Sequence, residues 1–101
     1  MNLKEITERI VKISDNYTKI HSIKRDDEWY ILKLQEELWE LTQAYLSLTK
    51  RWRNRDKTLK EIKLDFANEL ADVMGQLLLL ANHNNIDMQK ALEQKWFKYL
   101  K

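Results

Sequence analysis

Two short segments of this 101-residue chain carry carboxylates at a spacing suited to a metal ion: Glu37-Leu38-x-Glu40-Leu41 and Glu69-Leu70-x-Asp72-Val73. Positions i and i+3 of a helix point the same way, so each segment presents two acids side by side. Two such helices packed together would gather Glu37, Glu40, Glu69 and Asp72 around one hard cation. Mg²⁺ and Mn²⁺ prefer oxygen ligands, and Mg²⁺ is commonly held by a few carboxylates together with substrate phosphates. Acid pairs are also commonplace on helices that only face water, above all in a chain that is 34% charged. Spacing leaves both readings open. Position adds weight to the first, because Glu37 and Glu69 fall at the edges of apolar stripes. There, without a cation, they would be partly desolvated and mutually repelling.

The elements that must position these acids follow from composition and period. At this length the chain reads as a single domain over residues 1–101, small enough that a core shared with a second chain would help it. One Gly and no Pro leave little turn punctuation, which predicts long helices joined by short links. No Cys excludes a disulfide framework, a thiolate metal site and a cysteine nucleophile. The N-terminal stretch has no continuous apolar run, and the longest such run, Leu77 to Ala81, is too short to cross a bilayer. A cytoplasmic protein is the expectation. The net charge of +2 is too small to point to nucleic acid.

Asn2 is a candidate N-cap, followed by a three-four stripe of Leu3, Ile6, Ile10, Ile13, Tyr17 and Ile20 that predicts a helix from about Leu3 to Lys19. Asp26, Asp27 and Glu28 suit the start of a second helix. Its stripe is Ile31, Leu34, Leu38, Leu41, Tyr45, Leu48 and Trp52, and a second apolar set, Trp29, Leu32, Trp39 and Leu46, lies on another side. Between them runs a polar lane of Lys33, Glu36, Glu37, Glu40 and Gln43. A helix with two apolar faces needs neighbours on both, one of them from a second chain. Thr49 to Lys57, with five basic residues, reads as a helix end and connection. Thr58-Leu-Lys-Glu61 is a capping box. It opens a third helix with the stripe Leu59, Ile62, Phe66, Leu70, Val73, Met74, Leu77 and Ala81. Asp65, Glu69, Asp72 and Gln76 form a ladder on the flank of that stripe, matching the offset of Glu37 and Glu40 on the second helix. Asn82 to Asn85 ends it, and Asp87 caps a last helix with Met88, Leu92, Trp96, Tyr99 and Leu100 pointing inward. The expected fold is an all-α, four-helix antiparallel bundle completed by dimerisation.

Glu36-Glu37-x-x-Glu40, followed some thirty residues later by Glu69-x-x-Asp72, resembles the EExxE…ExxD signature of the MazG-like all-α nucleotide pyrophosphohydrolases. The surrounding Leu34-Gln-Glu-Glu-Leu and Asn68-Glu-Leu-Ala-Asp-Val are similar to that family's wording. So is the tail from Ala81 to Lys98, and the resemblance spans residues 30–98. It implies hydrolysis of a nucleoside triphosphate to the monophosphate and pyrophosphate, with Mg²⁺ (or Mn²⁺) as cofactor and a homodimer or dimer of dimers as the working form. By the same resemblance Glu37, Glu40, Glu69 and Asp72 are the metal ligands, and Glu36 assists them or orients the attacking water as the catalytic residue. Lys33, Lys95 and Lys98 would meet phosphates. Two positions depart from the family pattern: Trp39 stands where Gly is usual, and Tyr99 where Asn is expected.

Other residues carry competing readings. Trp29 and Trp39 share a helix with Glu37 and are candidates for a base pocket, although Trp more often serves a core or a dimer contact. The run Lys50 to Arg55, with its embedded Trp52, suits a nucleotide phosphate, nucleic acid or simply a helix C-terminus. His21 and His83 lack ligand-spaced companions and read as surface or capping residues; Met74 and Met88 read as core. The main rival to the enzyme is a non-catalytic helical homodimer serving as an interaction module.

Overall fold

The computed structural model of the chain describes residues 1–49 and 56–100. Among these residues lie α1 (Leu3–Ile20), α2 (Asp27–Leu48), α3 (Leu59–His83), α4 (Met88–Lys95) and a closing 3₁₀ turn, Phe97–Tyr99. The basic run Lys50 to Arg55 and Trp52 lie outside the described residues.

Each helix begins where a short polar side chain satisfies a backbone N–H that the helix leaves open. Asn2 accepts from the Glu5 N–H, Asp26 from Trp29 and Asp87 from Lys90. Thr58 and Glu61 form the full reciprocal capping box. Asn85, just past the end of α3, takes a φ of 57°, a left-handed conformation that Asn tolerates.

The helices form an antiparallel four-helix arrangement in which α2 and α3 make the principal pair. Tyr30 of α2 stacks on His83 at the far end of α3, with ring centroids 4.1 Å apart, while Tyr45 meets Phe66 near its start. The α1 helix lies against the C-terminal half of α3, and α4 packs on α1. Arg25 in the α1–α2 link holds α1 by bonds to Ser14 Oγ (3.0 Å) and Asp15 Oδ1 (2.7 Å). His83, expected as a surface or capping residue, lies exposed at the end of α3 and also reaches Asp27 at 2.8 Å.

The face that α2 turns to α3 is rotated from the expected stripe and keeps only part of it, Leu34 above all. Tyr30, Leu34 and Glu37 are its buried residues, whereas Ile31, Leu38 and Tyr45 of the expected stripe are exposed. The inward face lies between the expected stripe and the polar lane, taking Leu34 from one and Glu37 from the other, so Ile31 and Leu38 on one side and Leu32 and Trp39 on the other stay exposed. On α3 the buried residues are Ile62, Leu78, Leu79 and Ala81, with Leu59, Leu70 and Met74 left exposed. Burial concentrates in the second half because only that half is flanked by both α1 and α2. The tail also departs from expectation: Leu92, Trp96, Tyr99 and Leu100 are exposed rather than inward, since α4 packs only sparsely on the other helices.

The chain is correspondingly open. Its radius of gyration is 16.1 Å, against about 13 Å for a compact domain of this length. Its accessible surface is 8380 Å², where a compact monomer of the same mass exposes about 6,100 Å². No helix among the described residues is long and apolar enough to cross a membrane.

Candidate metal centre

The carboxylates come together because the seam between α2 and α3 carries them. On α2 the inward face runs Tyr30, Leu34, Glu37, at spacings of four and three, so Glu37 occupies a position that a leucine would otherwise fill. Its residue is only 8% exposed. Glu40 follows one turn later, half-buried, and Glu69 of α3 faces them. One carboxylate oxygen from each of Glu37, Glu40 and Glu69 lies within 4.8 Å of the other two. Asp72, the fourth expected member, is outside that trio and exposed.

The electrostatics of the trio are those of crowded, partly buried acids. Glu37 Oε2 and Glu69 Oε2 are buried with no hydrogen-bond partner, an arrangement that is costly for an ionised carboxylate. Burial, then hydrogen bonding to Glu40, then the negative charges of Glu40 and Asp72 push Glu37 up from 4.5 to about 7, against the opposing pull of Lys33. Glu69 is pushed up as well, first by burial and then by the charges of Glu40, Asp72 and Asp65. With all three ionised there is no donor between them. Two remedies exist: a proton shared within the trio, or a cation bound by it. The donor set, all oxygen and anionic, fits a hard divalent ion.

Lysines flank the cluster on both sides. Lys33 Nζ lies 3.8 Å from Glu37 Oε1 and 3.4 Å from Glu36 Oε2, so the expected catalytic Glu36 is on the rim, beside the trio rather than within it. Lys57 Nζ pairs with Asp65 at 2.6 Å, and both line a cleft with Glu40, Glu69, Gln43 and Ser47. Sequence reasoning placed Lys57 in a basic connection and missed its reach back to the acid ladder. Asp65, the first rung of that ladder, was the available signal.

On the other side a second cleft, of about 380 Å³, lies between α1, α2 and α3. Trp29 lines it together with Lys33 and Asp72, whereas Trp39 is exposed and does not. Gln76 also lines it, and its Oε1 is buried without a partner. Lys95 and Lys98 lie at the tail, and among the described residues no ion pair joins them to the acids; Lys98 instead sits 5.2 Å over the Tyr99 ring.

The four-helix all-α fold is consistent with the MazG-like proteins. Comparison with protein-family models, curated proteins and solved structures finds no match to this chain.

Proposed function

We propose that the protein is a MazG-like pyrophosphohydrolase that cleaves a nucleoside triphosphate between the α and β phosphates, releasing the monophosphate and pyrophosphate. The observation that carries this reading is the convergence of Glu37, Glu40 and Glu69 within 4.8 Å, two of them with buried, unpartnered oxygens. These three, with Asp72 completing the set once substrate arrives, would hold Mg²⁺ or Mn²⁺. Such an ion supplies neutralisation of phosphate charge and a more acidic water at neutral pH. Lys33, at the rim between the acids and the Trp29 cleft, would bind a phosphate of the substrate. Glu36, paired to Lys33, would hold that lysine in place and orient the attacking water. Lys95 and Lys98 would need a second copy of the chain to bring them near, because α4 packs on α1 away from the acids.

A homodimer or dimer of dimers belongs to the same reading. The surface excess over a compact monomer is roughly 2,300 Å² per chain, so about 4,600 Å² for two chains, within the range of roughly 2,000–5,000 Å² that an obligate dimer buries per pair. The open apolar faces of α2 suit that role.

The test is pyrophosphate release from canonical and modified nucleoside triphosphates with Mg²⁺, the wild type beside Glu40→Gln. Release that disappears in the variant and in chelator is expected. No release from any nucleotide, with no metal-dependent gain in thermal stability, would leave the interaction module as the better reading.

A further inference from the structure

The end of the chain carries apolar surface with nothing over it. Along α4, Met88, Leu92 and Trp96 recur at intervals of four and share one face. Trp96 continues the helix, its N–H bonding to the Leu92 carbonyl at 2.8 Å. Burial falls along that face: Met88 is half-buried, Leu92 is 38% exposed and Trp96 65%. Phe97, Tyr99 and Leu100 beyond it are more than half exposed. Aromatic side chains left in water forgo the main gain that burial gives.

Met88 stands at a groove of about 260 Å³ between the start of α1, the end of α3 and the start of α4. Leu78 and Ala81, both buried, form its floor, and Ile86 a wall. Glu8 and Asp87 are exposed at its rim, beside Lys4. The chain's own tail does not enter this groove, because α4 begins there and carries Trp96 about 12 Å away along the helix. The tail of a second copy can. Leu92 is as far from Met88 as from Trp96, so two α4 helices laid antiparallel about Leu92 bring Trp96 of each beside Met88 of the other. Charge favours the same arrangement. The acids Glu8 and Asp87 lie at the groove end of α4, and Lys95 and Lys98 at the tail end. An antiparallel pair therefore sets acid beside lysine at both ends, whereas a parallel pair would set lysine against lysine.

We propose that a second copy of the chain covers this face. The two α4 helices pair antiparallel, and Trp96 of each fills the groove between α1, α3 and α4 of the other. The contact is self-complementary, so it closes at two chains. It uses a surface separate from the open faces of α2 and does not depend on the pyrophosphohydrolase reading. Two tails and two grooves together bury on the order of 1,000 Å², the size of a weak, reversible contact.

The experiment is disulfide trapping, to which a chain without cysteine is suited. Leu92→Cys, at the two-fold axis, is oxidised beside Lys12→Cys, an exposed control on α1. A mixture of Met88→Cys with Trp96→Cys tests the register. Light scattering follows mass against concentration for the wild type and Trp96→Glu. Leu92→Cys should link at least about tenfold faster than Lys12→Cys, and the mixture should form the mixed disulfide in preference to either self-linked pair. Trp96→Glu should weaken the concentration-dependent association by about tenfold or more, with its helical signal unchanged. Equal linking at positions 92 and 12, or association of Trp96→Glu equal to that of the wild type, would overturn the proposal. Repeating the trapping with Leu38→Glu and Trp39→Glu added separates it from pairing through α2. Linking at position 92 that persists there upholds the tail contact; linking that vanishes overturns it and leaves the α2 dimer standing.

Discussion

The carboxyl of Glu37 is held among Leu34, Tyr30 and two other acids, with one oxygen unpartnered. Its consequence for stability has a definite sign. The group titrates at 4.5 in an unfolded chain and at about 7 in the folded one. Below 4.5 both states hold the proton and the group contributes nothing to pH dependence. Between 4.5 and about 7 the folded state keeps a proton that the unfolded state has lost, so stability falls as pH rises. Above about 7 the penalty is complete, on the order of 3 kcal/mol. Metal-free protein should thus melt lower at pH 8 than at pH 5.5. Glu37→Gln should flatten that difference, and Mg²⁺ or Mn²⁺ should raise the wild-type melting temperature at pH 8 but not that of the variant. Thermal melts with and without chelator check this. A metal-free wild type that parallels Glu37→Gln across the pH range would mean that the trio carries no such strain.

At the scale of the helices, the ends are set locally and the faces are not. Thr58 Oγ1 accepts from the Glu61 N–H while the Thr58 backbone N–H donates to the Glu61 carboxylate, so Thr58→Ala, which removes the first bond, should cost about 1 kcal/mol. That corresponds to about 4–8 °C in melting temperature, with metal affinity unchanged. The α1 helix depends on fewer contacts, among them the Arg25 bonds to Ser14 and Asp15. Asp15 is more than half exposed, so Arg25→Ala should cost only about 1 kcal/mol. Its effect should be regional, with faster amide exchange in α1 and little change along the α2–α3 pair. Uniformly faster exchange throughout would show that α1 is an integral part of one cooperative unit.

For the whole molecule, the question is what covers the apolar surface. Leu38 is 37% and Trp39 55% exposed, and they stand on different open faces of α2. If these faces pair between copies, light scattering should give a mass of at least two 12.3 kDa chains. The melting temperature should then rise with protein concentration. Leu38→Glu with Trp39→Glu should shift the mass towards a single chain while leaving the helical signal, since neither side chain is in the buried core. A wild type that runs as one chain at every concentration would refute the dimer.

Much of this was legible before the structure. Helix number, order and boundaries rest on interactions within three or four residues, such as Asp26 with Trp29 or Asp87 with Lys90, and a sequence states those directly. The i, i+3 acid pairs are equally local, so the candidate metal site could be located to two helices. Which side of α2 faces α3 was not legible, because periodicity gives angles around a helix but not which angle meets a neighbour. The face that met α3 was the edge between a stripe and the lane, with Tyr30, Leu34 and Glu37 buried along it. That packing made Glu37 a core acid and brought Glu40 and Glu69 to it, with Asp72 outside the trio. Only the packing of α1 across the second half of α3 created the cleft at Gly75 and Gln76. That packing depends on contacts far apart in the chain, for which the local pattern holds no record.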